Sequence, residues 1–234
     1  MGTVADKQAV FEGIALVGKA FGSPARLLIL DVLVQGERSV EHLADATELS
    51  LANTSQHLQV LRRAGLVATR REGTRVLYRV AGEEVVRLWV SLREVAAQRL
   101  GEVERAARDY LGEDIAAVGR AELAERLAAG DVVVLDVRPR VEFSAGHIQG
   151  ARSIPLDELE ARLHELPEDA EVVAYCRGPY CVFAHDAVRR LGADGRRARR
   201  LEGGWPEWRL AGLPSETGDD EQRPPRRARK ERSR

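Results

Sequence analysis

The chain's two cysteines, Cys176 and Cys181, bracket the short segment Arg177-Gly178-Pro179-Tyr180. Before Cys176 runs the β-favouring stretch Val172-Val173-Ala174-Tyr175, and after Cys181 residues 182–191 carry apolar side chains at helical spacing. This pattern predicts a strand that delivers a thiol into a tight loop opening a helix. Backbone N–H groups in such a loop point inward and the helix end carries partial positive charge, so an anion is stabilised there and a thiol acidified. Arg177 adds a full positive charge, which favours a Cys176 thiolate and an anionic co-substrate. The residue types therefore predict a reactive thiol at Cys176, against the alternative of an inert cysteine packed at a strand end. Cys181, at the entry of the helix, is open between a packing role and that of a resolving thiol.

The elements that must position this loop read as alternating helix and strand. Strands are predicted at 132–135, near 152–154, at 171–175 and near 198–201; helices are predicted near 121–129, at 156–163 and after the loop. That order implies a parallel α/β sheet with the thiol at a strand's C-terminal end, where such sheets place their ligands. The run Arg196-Arg197-Ala198-Arg199-Arg200 reads as a solvated strand edge blunted by charge, with an auxiliary phosphate contact as the alternative.

Three further motifs accompany the loop. Asp136-Val137-Arg138 follows the run Val132-Val133-Val134-Leu135, and Glu142-Phe143-Ser144-Ala145-Gly146-His147-Ile148-Gln149-Gly150-Ala151 follows in turn. The last is Leu201-Glu202-Gly203-Gly204-Trp205-Pro206-Glu207-Trp208, with Ala211-Gly212-Leu213-Pro214 after it. Together they make residues from about 120 to 215 resemble a rhodanese domain. The resemblance implies a sulfurtransferase fold whose active loop is headed by Cys176 and includes Arg177, Gly178, Tyr180 and Cys181. It also implies structural rather than catalytic roles for Asp136, Arg138, Glu142 and His147. Two departures leave the sulfur donor open: glycine lies two residues after the cysteine rather than three, and Cys181 stands where Arg, Ser or Thr is common. Related phosphatases and arsenate reductases need an arginine where this chain has Val182, which argues against tetrahedral oxyanion chemistry.

At 234 residues the chain has room for two domains, and 44% apolar with 31% charged residues is a soluble globular balance. No apolar run approaches a membrane span and the N-terminus lacks an apolar leader core, so a cytoplasmic protein is expected. Two cysteines in one loop argue against a disulfide framework and fit a reducing compartment. The net charge of −1 hides arginine-rich patches around 62–79, 196–200 and 223–234. No cofactor is expected.

The N-terminal half reads as a succession of helices. An amphipathic helix is predicted over 4–21, a second begins at Ser23-Pro24, Ser39 caps a third through Ala46, and Ser50 caps a fourth ending near Gly65. Two short helices joined by a tight turn form a helix-turn-helix, and alternation around Glu72-Gly73 predicts a hairpin wing. A single long helix is predicted over 83–110, with Val85, Trp89, Leu92, Ala96, Leu100, Val103, Ala107 and Tyr110 on one stripe. With the first helix, that stripe predicts a two-fold dimer interface; packing against the second domain is the alternative.

Residues 49–67, with Asn53-Thr54-Ser55-Gln56-His57-Leu58-Gln59 at their centre, make residues 1–110 resemble the winged helix of the ArsR type. Asn53, Thr54, Ser55, Gln56, His57 and Gln59 are placed to meet base edges and phosphates, while Arg62, Arg63, Arg70, Arg71 and Arg75, with Arg79, should neutralise phosphates. Metal-sensing members carry a Cys-x-Cys pair in the helix corresponding to 39–46, or Asp/His ligands on the last helix. Here the third helix has no cysteine and the last no histidine, so no metal site is expected.

The expected organisation is mainly α winged helix-turn-helix with a β-hairpin wing, then an α/β rhodanese domain with a parallel sheet. It comprises a DNA-binding and dimerisation domain at 1–110, a linker at 111–119, a rhodanese domain at 120–216 and a disordered charged tail at 217–234. The expected protein is a homodimeric transcriptional regulator, a repressor, on double-stranded DNA with a near-palindromic operator. Its partners include a sulfane-sulfur donor and a thiol acceptor, and Cys176 carries the persulfide. Two alternatives stand beside it: a sulfurtransferase tethered to DNA without sulfur-dependent regulation, and a binding module that has lost catalysis.

Overall fold

The structure, a computed structural model, describes residues 4–112 and 115–218; most of the expected charged tail, from 219 onward, lies outside the described residues. The chain divides into two compact units, residues 1–96 and 97–234.

The first unit begins with helices α1 (Val4–Phe21) and α2 (Pro24–Leu33), followed by the two-residue strand β1 (Arg38–Ser39). Helices α3 (Val40–Thr47) and α4 (Leu51–Arg63) come next, then strands β2 (Val67–Glu72) and β3 (Arg75–Val80) and helix α5 (Glu83–Arg99). Local chemistry accounts for the boundaries. The Ser39 side chain accepts the His42 N–H and the Ser50 side chain the Asn53 N–H, so each satisfies a donor that its helix leaves open. Ser23 holds the N-cap conformation without a side-chain bond, and Pro24 sets the first turn instead. Gly65 and Gly73 take the positive φ values, 71° and 60°, that the helix exit and the hairpin turn require. Fully buried Ile29, Leu30, Leu43, Leu58, Leu61 and Val86 fill the core between the helices.

Two features differ from the sequence reading. β1 adds a third strand, with Arg38 opposite Tyr78 and Ser39 opposite Leu77; two residues are too few to show alternation. The helix expected over 83–110 is two helices, α5 and α6 (Gly101–Leu111), because Leu100 is extended at φ −118° and ψ 96°. Gly101 is the poorest helix former in that stretch, and a break of one residue leaves the apolar periodicity intact. The stripe itself is uneven. Val85 and Trp89 are buried, whereas Leu92, Leu100 and Tyr110 are exposed.

The second unit continues with β4 (Ala117–Val118), α7 (Arg120–Ala129), β5 (Val132–Asp136), α8 (Arg140–Ala145), β6 (His147–Ile148) and β7 (Arg152–Ser153). It ends with β8 (Glu171–Tyr175), α9 (Val182–Ala193), β9 (Ala198–Leu201), α10 (Trp205–Leu210) and β10 (Ser215–Glu216). A five-stranded parallel sheet has the order β4-β9-β8-β5-β7, and β10 pairs antiparallel with β6. Alternate residues of β8 face opposite sides. Val173 and Tyr175 pack with Phe143, Trp205 and Trp208, while Val172, Ala174 and then Cys176 pack with Ala184, Ala187 and Leu191 of α9.

The helix expected at 156–163 is instead a series of turns followed by a 3₁₀ helix at Glu160–Glu165. The segment lies between Pro155 and Pro167, and Leu166, preceding the second proline, leaves the helical region at ψ 134°. The arginine run is not an edge. β9 is hydrogen-bonded to β8 on one side and β4 on the other. Arg199 pairs with Glu171 and Glu122, and Arg196 with Asp194, so acidic neighbours take up the charge.

Candidate functional sites

The cysteine loop follows β8 directly and ends at Cys181, the N-cap residue of α9. A Cys181 N–H to Gly178 C=O bond of 3.2 Å closes the turn. The loop is braced from behind by the 203–205 segment: the Trp205 N–H donates to the Cys176 carbonyl at 3.0 Å. A Cβ at Gly204 would lie 2.5 Å from both that carbonyl oxygen and the Gly178 nitrogen, so only glycine fits the approach.

Cys176 is buried, whereas Cys181 is partly exposed. The Cys176 S–H reaches the carbonyls of Cys181 at 3.5 Å and Gly178 at 3.8 Å, and the two thiols hydrogen-bond each other. Backbone N–H groups of Gly178 and Ala184 face the Cys176 sulfur, and those of Arg177 and Phe183 face the Cys181 sulfur. Burial pushes the Cys176 thiol well above its ordinary value, and the bond to Cys181 adds to the rise. Cys181 moves the other way, chiefly because it accepts that bond, against an opposing effect of burial. Of the two thiols, Cys181 is therefore the one whose surroundings favour the thiolate form.

Arg177 is oriented differently from the sequence reading. Its guanidinium makes a forked pair with Glu142, with Nη2 2.6 Å from Oε1 and Nε 3.1 Å from both oxygens, and its charged carbon lies 5.5 Å from the centre of the Phe183 ring. The Glu142 carboxylate is buried and compensates the charge expected to act on Cys176. Nothing around Arg177 in the sequence signals a partner 35 residues away.

Beneath the loop lies a second buried network. Arg138 binds Asp136 through Nε and Nη2 and donates to the Gly146 carbonyl at 2.8 Å; the Tyr175 hydroxyl donates to Asp136 and accepts the Ile148 N–H. Burial alone would lower the Arg138 pKa, but the Asp136 carboxylate outweighs it and the value is raised. Tyr175 is raised by burial and by Asp136. These groups tie β5, β8 and the turn before β6 together and hold no reacting atom. His185, one turn into α9, directs Nδ1 at the Cys181 carbonyl at 3.3 Å, and burial lowers its pKa. Tyr180 is half-buried in the loop.

In the first unit, α4 turns Leu58 and Leu61 inward and leaves Gln56, Gln59, Arg62 and Arg63 exposed, with Asn53, Ser55 and His57 half-buried. Thr54 departs from its expected DNA-facing position. It is fully buried, and its hydroxyl donates to the Ser50 carbonyl at 3.0 Å, because helical spacing places it on the face of Leu58 and Leu61. On the wing, Arg71 and Arg75 are exposed; they and Arg62 and Arg63 form no ion pair with any described residue. Arg70 differs: it binds Glu37 at 2.8 Å and Glu72 at 3.1 Å, and Glu37 also lies 3.7 Å from Arg79. Among the described residues no single helix is long and apolar enough to cross a membrane.

Comparison with known proteins agrees with this division. Residues 23–69 match the family described as bacterial regulatory protein, arsR family, and residues 120–211 match the rhodanese-like domain. The HTH-type transcriptional regulator Rv0324 of Mycobacterium tuberculosis is 52% identical over 212 residues, covering 91% of this chain and 94% of its own. A sulfurtransferase of Allochromatium vinosum is 35% identical over 94 residues, 39% of this chain and 86% of that protein. Among solved structures, the homodimeric winged helix-turn-helix DNA-binding domain of Mb0332 from Mycobacterium bovis, a possible ArsR-family transcriptional regulator, is 48% identical. It covers 43% of this chain and 93% of that one, with a TM-score of 0.41. An ArsR-type helix-turn-helix and a rhodanese fold in one chain, aligned almost end to end with a relative that covers both, have one reading: the chain belongs to the ArsR family of transcriptional regulators, in the form that carries a C-terminal rhodanese-like domain.

Proposed function

We propose that the protein is a homodimeric, cytoplasmic repressor whose rhodanese-like domain takes sulfane sulfur onto Cys176 and thereby changes the affinity of the winged helix for DNA. The observation that carries this reading is the pair of hydrogen-bonded thiols in a cradle of N–H groups, in the same chain as a recognition helix with unpaired arginines. The Cys176 sulfur attacks the outer sulfur of a polysulfide or low-molecular-weight persulfide, and the loop N–H groups stabilise the charged product. Gln56, Gln59, Arg62, Arg63, Arg71 and Arg75 form the DNA surface, with Asn53, Ser55 and His57 at its margin. A two-fold dimer spaces two such helices by about one turn of DNA, ~34 Å, and requires a near-palindromic operator. Exposed Val10, Phe11 and Ile14 on α1 and Leu92 and Val95 on α5 supply the apolar face for a second copy.

Regulation requires that the modified loop favour one of two states of the dimer. The test is the affinity of the reduced protein for its own upstream DNA at fixed salt, before and after polysulfide, with Cys176→Ser alongside. A change in the wild type that the variant lacks supports the reading. Likeness to the Allochromatium vinosum sulfurtransferase favours a second one, a DNA-tethered sulfurtransferase, for which sulfur transfer proceeds while DNA affinity stays constant.

A further inference from the structure

We propose that Cys181 discharges the Cys176 persulfide within the loop, so that the domain converts a persulfide donor to sulfide and ends as a Cys176–Cys181 disulfide. This deepens the sulfur-acceptor reading above and rests on it. Three observations carry it. The two thiols are already in hydrogen-bond contact, and a Cys181 N–H to Gly178 C=O bond closes the turn between them. Cys176 is buried and Cys181 lies beside it, so the second attack needs no further thiol to enter the loop. Cys181 also stands at the N-cap of a 12-residue helix, with the N–H groups of Arg177 and Phe183 directed at its sulfur, a setting that favours the attacking thiolate.

The chemistry balances without an added oxidant. The Cys176 sulfur attacks the outer sulfur of RS–SH; the donor S–S bond breaks and RS⁻ leaves with the proton from Cys176. The Cys181 thiolate then attacks the Cys176 sulfur, the bond from that sulfur to its terminal sulfur breaks, and hydrosulfide departs. The two thiols lose two electrons and the sulfane sulfur gains them, becoming sulfide. An external dithiol reductant resets the loop.

The experiment uses the full chain, reduced, freed of small thiols and mixed with glutathione persulfide. It is quenched with iodoacetamide and followed by intact mass and by sulfide release. The wild type is expected to release one sulfide per chain and to lose two hydrogen atoms, with the disulfide mapped to the peptide joining both cysteines. Cys181→Ser is expected to keep one extra sulfur on Cys176 and to release sulfide at least about 100-fold more slowly, the advantage of an intramolecular thiol being lost. A wild type that retains the extra sulfur with Cys181 free overturns the internal discharge and leaves the persulfide reading standing. If neither protein gains sulfur nor forms the disulfide, both readings fall. Because the wild-type measurement alone decides the proposal, a folding defect in the variant does not.

Discussion

At the scale of single residues, the loop's reactivity is governed by where charge is compensated. Arg177 was expected to lower the Cys176 pKa, but its guanidinium is turned to Glu142, and the thiol that falls below its ordinary value is Cys181. Alkylation of Cys181 should therefore reach its plateau at a lower pH than a free cysteine does, because thiolate, the reacting form, persists to lower pH. Glu142→Gln leaves the positive charge of Arg177 uncompensated beside the loop. A positive charge favours thiolate, so the midpoint of the iodoacetamide rate against pH at Cys181 should move down. A midpoint that stays or rises would show that Arg177 acts on Phe183 and Glu142 alone. The same pair explains what the sequence hid: the Cys-Arg dipeptide was plain, but its electrostatic partner is set by the packing of α8 against the loop, which periodicity does not report.

At the scale of elements, the loop keeps its shape because a glycine lets another backbone press against it. Gly204 is extended at φ −169°, a conformation open to any residue, so the constraint is space alone. Gly204→Ala puts a methyl group 2.5 Å from the Cys176 carbonyl and the Gly178 nitrogen, and should destabilise the domain by about 1–3 kcal/mol and abolish sulfur uptake. Gly192→Ala, in α9 with open space at its Cβ, is the matched control and should be neutral or stabilising by up to about 1 kcal/mol in urea titration. If both variants unfold at the same urea concentration and both take up sulfur, the brace has no mechanical role. Elements with strong local signals were legible in the sequence: α3 and α4 from Ser39 and Ser50, β8 from its β-branched run, α9 from its spacing. Those decided by a short-range conflict were not. Leu100 interrupts a continuous apolar stripe, two prolines tighten 160–165 into a 3₁₀ turn, and β9 takes an interior place that its arginines do not suggest.

At the scale of the whole molecule, the proposed dimer rests on exposed apolar side chains. In α1, Val10 is 62% exposed, Phe11 59% and Ile14 60%, and in α5 Val95 is 57% exposed. Apolar side chains standing singly in water are ordinary, but three exposed within five residues of α1, with Val95 exposed on α5, are the positions a second copy would cover in the proposed dimer. The same two-fold contact would set the spacing of the two α4 helices, so assembly and DNA affinity should fail together. Phe11→Glu with Ile14→Glu places carboxylates at positions that are solvated within one chain, so each chain keeps its fold and its thermal transition in dilute solution, while burying those charges in a dimer is strongly unfavourable. Sedimentation should show a monomer, and operator affinity at fixed salt should fall by about 100-fold or more, because the second recognition helix no longer binds from the same assembly. A double variant that remains dimeric would place the interface elsewhere. One that becomes monomeric without losing affinity would show that a single helix-turn-helix suffices, and the near-palindromic operator would no longer be required.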